Sequence, residues 1–181
     1  MSGEQISLVA LAAVLMFWAV GAYNRLVQLR SAIAGAWAKV DDALRQRSAA
    51  ADALQAALRE PLAAEQGALD AWQAALAEAT RATTMLGGKP VMQAHAVAWV
   101  AAEAAQSAAV SRVLALLEQQ AELRQSEPVA GQMMAWQDAD KRLRFARLLF
   151  NEAAVPYDEA IATFPTSLLV RAFRFKAAGR L

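Results

Sequence analysis

Cysteine is absent from the 181 residues. That excludes disulfides, thiolate-ligated zinc, thiol nucleophiles and lipid attached to sulfur. Histidine occurs once, as His95. A His-based triad or an imidazole-ligated metal needs partners that a lone histidine lacks, so His95 reads as a structural side chain. Glycine and proline are sparse, eight and five in all, so the chain is expected to form few and long elements. No Lys or Arg precedes Arg25, although eighteen follow from there on, and the net charge is only +1. Such a balance gives no global field for nucleic acid.

What is present begins with an apolar run, Ile6 to Ala22, whose one polar side chain is Ser7. As a helix it spans roughly 25 Å, the short end of what a bilayer core requires. Trp18 and Tyr23 stand at its far end as an aromatic belt. Ser2 and Gln5 form a capping-box pattern ahead of it. Ala19 and Gly21 offer small residues at a cleavage-like spacing, but a secretory signal wants a basic leader and only Glu4 is charged there. The run therefore reads as an anchor. Arg25, Arg30 and Lys39 flank its downstream end alone, which places residues 24–181 in the cytoplasm by the positive-inside rule.

Beyond the run, Leu26, Leu29, Ile33, Trp37, Val40 and Leu44 follow a 3–4 spacing that resumes at Ala51, Leu54 and Leu58, with Arg47 interrupting it. This is a heptad seam on a long helix. Pro61 lacks the N–H that a continuing helix needs. Yet Leu62, Glu65, Leu69, Trp72, Leu76, Ala79, Thr83 and Leu86 keep the phase, which favours a kink over a reversal. Gly87-Gly88-Lys89-Pro90 ends that helix and starts another. The next helix, about 91–124, has an expected inner side of Val97, Ala101, Ala104, Ala108, Val110, Leu114 and Leu117. After Ser126-Glu127-Pro128, a last long helix of about 129–164 carries Trp136, Leu143, Phe150, Tyr157 and Phe164 every seven residues. Ala139, Ala146, Ala153 and Ala160 follow three behind, so large and small residues alternate along one seam. Pro156 is expected to bend it.

Polar clusters give no reaction centre. Asp41-Asp42 and the set Asp138, Asp140 and Glu152 read as solvated helix faces, since a di-iron bundle needs Glu-x-x-His on two helices. Gly87-Gly88-Lys89 lacks the frame of a phosphate loop. Lys141, Arg142, Arg144 and Arg147 read as partners of nearby acids. The tail differs: Arg171, Arg174, Lys176 and Arg180 follow Glu159 with no further acid, interleaved with Leu168, Leu169, Val170, Phe173 and Phe175. Arg171, Phe173, Arg174, Phe175 and Lys176 are candidates for contact with an anionic membrane surface. The same segment could instead cap the open end of the bundle.

Two stretches resemble the LemA family. The first, YNRLVQLRSAIAGAWAKVDDALRQR, is similar to the family's signature after its membrane helix, on Tyr23, Asn24, Leu26, Val27, Leu29, Arg30, Ala36, Trp37 and Asp41. The second, ARLLFNEAAVPYDEAIATFPTSLL, is similar to its C-terminal pattern, on Phe150, Asn151, Glu152, Ala153, Tyr157, Phe164, Pro165 and Leu168. This chain departs where the family reads Asp-Leu-Ile-Pro and it has Ala49-Ala50-Ala51-Asp52, at Pro156, and at Ser167 where Asn is usual. The resemblance implies a single-pass membrane protein with a helical bundle and no established enzymatic activity. One branch of the family, similar to a magnetosome protein, takes part in organelle membrane formation.

The expectation is an all-α chain: tail and transmembrane anchor over 1–23, an antiparallel bundle of three to four long helices over 24–166, and a basic amphipathic segment over 167–181. No catalytic, cofactor-binding or metal residue is expected, and neither nucleic acid nor a small-molecule substrate. The expected partners are the lipid bilayer and either another protein or further copies of the chain. The expected role is a non-enzymatic scaffold or adaptor at the bacterial cytoplasmic membrane; the alternative is a self-assembling component in membrane remodelling.

Overall fold

The computed structural model describes residues 3–173 and 175–181, the side chains of Leu169, Arg171 and Ala172 apart. The cap expected at Ser2 and the contacts expected of Arg171 and Arg174 lie outside the described residues. The described residues are all-α, with no strand. The elements are α1 (Gly3–Leu58), a short 3-10 turn (Ala63–Glu65), α2 (Gln66–Gly88), α3 (Gln93–Glu118), α4 (Ala121–Gln125), α5 (Glu127–Ala162) and α6 (Thr166–Phe173).

The apolar run and the seam belong to one unbroken helix of 56 residues, α1. No residue of its most apolar stretch is buried, so that stretch stands clear of the bundle. Ser7, the polar exception, donates its hydroxyl to the Gly3 carbonyl at 3.0 Å, which satisfies it inside its own helix. From Leu26 onward the expected seam is the buried face: Leu26, Ile33, Trp37, Val40, Leu44, Ala51, Leu54 and Leu58.

At Pro61 the chain reverses; the kink favoured by the phase is not what forms. α2 returns alongside α1, so that Gly87 lies over Trp37, where an added Cβ would sit 3.2 Å from the indole nitrogen. The missing proline N–H lets the helix end at Leu58, and Leu62 N–H closes the last turn on the Leu58 carbonyl. The shared phase has a simpler cause: both helices face one core, so each needs its own apolar seam. On α2 that seam is Leu69, Trp72, Leu76, Ala79 and Leu86.

The inner face of α3 also differs from expectation. Ala96, Trp99, Ala102, Glu103, Gln106, Val110, Val113 and Leu117 are buried, whereas Val97, Ala101, Ala104 and Ala108 are exposed. Alanine gives this helix apolar side chains all round, so spacing alone does not select a face; the largest side chain, Trp99, does. On α5 the alternating seam holds at Ala139, Leu143, Ala146, Phe150, Tyr157 and Ala160. Phe164 lies beyond the helix end and is 75% exposed. Pro156 sits inside α5, and the Phe164–Pro165 peptide is cis.

α1, α2, α3 and α5 thus form an up-and-down four-helix bundle, with α1 closest to α5 and α2 closest to α3. Its apolar interior is in two parts. One surrounds Ile33, Trp37, Trp99 and Phe150, and the other surrounds Leu54, Leu58, Trp72 and Leu117. Between them lies a polar layer. Arg47, 7% exposed, donates from both terminal nitrogens to the Glu103 carboxylate at 2.8 and 2.7 Å, and to Gln106 Oε1 at 2.9 Å. Asp140 lies 3.7 Å from the same guanidinium and pairs with Arg144 at 2.8 Å. Two cations and two carboxylates therefore share the layer.

A buried pair of this kind fixes register, and losing one partner strands the other. Arg47→Leu is expected to lower stability by about 3–5 kcal/mol, read as a lower thermal midpoint by circular dichroism in detergent. Arg47→Leu combined with Glu103→Leu is expected to regain most of that loss. A single variant that melts with wild type would contradict this role.

Candidate functional site

The sequence motifs converge at the end of the bundle next to the exposed apolar stretch of α1. The chain beyond α6 returns to this end, and an extended segment there must find partners for its peptide groups. Asn151 supplies two: its Nδ2 donates to the Leu181 carbonyl at 2.7 Å and its Oδ1 accepts from the Leu181 N–H at 2.9 Å. Tyr157 Oη donates to the Lys176 carbonyl at 2.9 Å. Asp158 accepts from the Ala178 N–H at 2.8 Å and from the Arg180 guanidinium at 2.6 Å. Arg180 in turn donates to the Asn151 carbonyl. Gly179 sits against α3, where a Cβ would run into the side chain of Ala96.

A second set of contacts ties the same segment to α1. Tyr23 lies 5.5 Å from the Phe173 ring and 6.4 Å from the Phe175 ring. The Arg30 guanidinium lies over Phe175, 5.6 Å from its centroid, within the range of a cation–π contact. Trp37 meets Phe150 edge-on at 6.2 Å. Of the two uses anticipated for the tail, capping the bundle is the one these contacts display at Ala178, Gly179 and Leu181, all of them buried. Leu168 and Phe173 on α6 remain exposed.

The motif residues therefore divide. Tyr23, Arg30, Asn151 and Tyr157 hold the tail. Leu26, Trp37 and, half-buried, Leu29, Ala36 and Ala153 pack the core. Asp41 pairs with Arg45 one turn along. Asn24, Glu152 and Phe164 are exposed and Pro165 half-buried. Asp158 and Gly179 were not anticipated, and Arg180, expected only as one of the basic residues of the tail, proves to be paired with Asp158. Asn151 and Asp158, seven apart, share a helix face, but nothing local says that the tail comes back to it.

Elsewhere, polar groups neutralise one another. Lys141 pairs with Asp138 and Arg144 with Asp140, Arg142 bonds Gln46, and Arg147 lies 5.1 Å from the Trp99 centroid. The polar layer opens on one side into a groove of about 720 Å³ between α1 and α2, walled by Thr80, Thr83 and Thr84. Thr83 Oγ1 accepts from the Trp99 indole N–H at 3.0 Å. Half-buried His95 leaves its Nδ1 without a hydrogen-bond partner. Among the described residues no three His, Asp or Glu side chains gather closely enough to hold a metal ion.

Burial pushes the Tyr157 hydroxyl above its ordinary value of 10.0, an effect opposed by the Arg30 cation and reinforced by Asp158. A folded-state value raised this way favours the neutral phenol, the form that donates to Lys176. Its contribution is complete below about pH 10 and is lost as pH rises through the folded-state value. Alkaline titration is therefore expected to expose the tail to limited proteolysis while α1 to α5 stay helical. Tyr157→Phe should remove most of that pH dependence. Asn151→Ala should loosen the tail at neutral pH, by about 1–3 kcal/mol for the stranded Leu181 groups.

The family comparison covers the bundle from Ala36 onward. A search of curated proteins returned no match. The LemA family model matches residues 36–180, a span that takes in Trp37, the polar layer, Asn151, Tyr157 and the tail as far as Arg180. The chain belongs to the LemA family.

Proposed function

We propose that this protein is a non-enzymatic, single-pass scaffold or adaptor that presents a helical bundle at the cytoplasmic face of the bacterial inner membrane. The observation that carries the reading is α1. One helix contains both an exposed apolar stretch long enough to cross a bilayer and the buried seam of the bundle. A second helix, α3, is also long and apolar enough to cross a bilayer, but Trp99, Val110, Val113 and Leu117 place it in the bundle core. The anchor reading rests on α1 alone.

The cytoplasmic placement rests on Arg25, Arg30 and Lys39, which flank only the bundle side of the span. The non-enzymatic reading is supported by the mutual pairing of the buried ions and by the isolation of His95. Partner recognition is left to the bundle surface. A self-assembling role in membrane remodelling is favoured by one feature, the adjacent exposed Phe145 and Leu148 on α5, where a second copy of the chain could pack.

Reporter fusions at each end of the chain and crosslinking in native membranes test these points together. The scaffold reading expects a cytoplasmic reporter signal downstream of the bundle and crosslinks to discrete unlike proteins. A ladder of homo-oligomers that Phe145→Ser with Leu148→Ser abolishes would favour self-assembly instead. An external downstream reporter would overturn the placement.

A further inference from the structure

The tail does more than close the bundle. Together with α1 and the α2–α3 turn, it walls a pocket of about 340 Å³ into which three cations from separate segments are brought: Arg30 of α1, Lys89 of the turn and Lys176 of the tail. Tyr157, Phe173 and Phe175 complete its walls, and no carboxylate lines it. Arg45, Arg47, Arg81, Arg124, Lys141, Arg144 and Arg180 each have an acidic partner. Arg30, Lys89 and Lys176 have none among the described residues, as is also true of scattered cations such as Arg59 and Arg112; what distinguishes the pocket is that three such cations line one site. The first turn of α3 also abuts the pocket, with no side chain capping it, so its N–H groups add to the positive field. All three cationic residues are exposed, so water screens their mutual repulsion, but a concave site that gathers three cations and no carboxylate still attracts an anion.

Position says what kind of anion. Arg30 follows Tyr23 by two helical turns, roughly 10 Å along the axis. Phe173, on the pocket wall, also meets Tyr23 and lines an apolar recess with Met16, Ala19 and Val20 of the apolar stretch. One wall of the pocket therefore continues onto the surface that acyl chains would cover if α1 spans a bilayer. The headgroup layer is roughly 5–8 Å thick on each side, within reach of the long Arg30, Lys89 and Lys176 side chains.

We infer that Arg30, Lys89 and Lys176 form a binding site for the phosphate of an anionic phospholipid headgroup, whose acyl chains run past Phe173 along α1. The inference rests on the anchored reading of α1. It goes further in making the bundle end a selective lipid site with its own stoichiometry. The tail is part of that site because it delivers Lys176 and Phe175, and Asn151 and Tyr157 act as positioning residues through it.

The test uses the full chain purified in a neutral detergent, with native mass spectrometry of lipid retained from mixed micelles of phosphatidylglycerol or phosphatidylcholine. One phosphatidylglycerol per chain is expected, preferred over phosphatidylcholine by roughly tenfold or more. Arg30→Gln, Lys89→Gln and Lys176→Gln together should erase the preference. Lys39→Gln, Arg59→Gln and Arg112→Gln, which remove the same net charge from exposed positions elsewhere, should keep it. Circular dichroism checks that both triple variants are folded. Should the first not be, each single variant is expected to lose the preference by roughly twofold or more.

Equal retention of the two lipids by wild type, or equal loss in both triple variants, would overturn the site. Saturable binding of inorganic phosphate that displaces the lipid would assign the pocket to a soluble anion and overturn the lipid assignment. Alkaline carbonate extraction of native membranes separates the two readings. Release of the wild-type chain defeats the anchor, whereas resistance without lipid selectivity defeats this inference alone.

Discussion

A peptide group in lipid has no water to bond to, so it must be satisfied within its own helix. In this chain the helix that meets this requirement does not stop where the apolar residues stop. α1 continues from the apolar stretch through Tyr23 and Asn24 into the Leu26–Leu58 seam with no break in its hydrogen bonding. The continuity determines much of the rest. It fixes the height of the bundle above Tyr23 and the direction in which Trp37 and Arg47 point. It also settles which end of the four-helix bundle lies beside the apolar stretch.

The bundle is then built by two kinds of interaction. Apolar seams supply the driving force, with Trp99 and Phe150 in one half and Trp72 and Leu117 in the other. The large and small side chains that alternate on α5 interdigitate with their neighbours and favour one register. The polar layer adds to that preference. The Arg47 guanidinium, a planar fork, meets the Glu103 carboxylate through two bonds, a geometry that favours one alignment of α1 against α3. The same logic recurs at the tail, where directional bonds from Asn151, Tyr157 and Asp158 place residues whose apolar contacts alone would be loose. The tail in turn brings Lys176 to the pocket that Arg30 and Lys89 also line.

How much of this could be read from the residues follows from the range of the interactions. The apolar run, the seam from Leu26 to Leu58 and the alternating seam of α5 are local periodicities, and they were legible. Arg47 looked like an interruption because its partner lies 56 residues away; the seam in fact runs through it. The face of α3 was misassigned because Ala101, Ala104 and Ala108 are as apolar as Ala96 and Ala102. Choosing the side that carries Trp99 and the Glu103–Gln106 pair would have corrected it. Pro61 was misread because unbroken phase was taken for an unbroken helix, although two antiparallel helices around one core produce the same pattern. At the functional end, the motif residues were legible as a set, whereas their joint role was not. Asn151 and Tyr157 hold a segment that turns back over about 30 residues, and no spacing rule encodes such a return.

If the apolar stretch spans a bilayer as proposed, α1 is one rigid post between bilayer and bundle. Hydrogen–deuterium exchange of the full chain reconstituted in phospholipid nanodiscs measures this directly, residue by residue across Val20 to Ile33. Continuous slow exchange through Tyr23, Asn24 and Arg25 into the Trp37 seam is the result expected of a single helix. Rapid exchange confined to those residues, between two protected flanks, would show a hinge and would contradict the account.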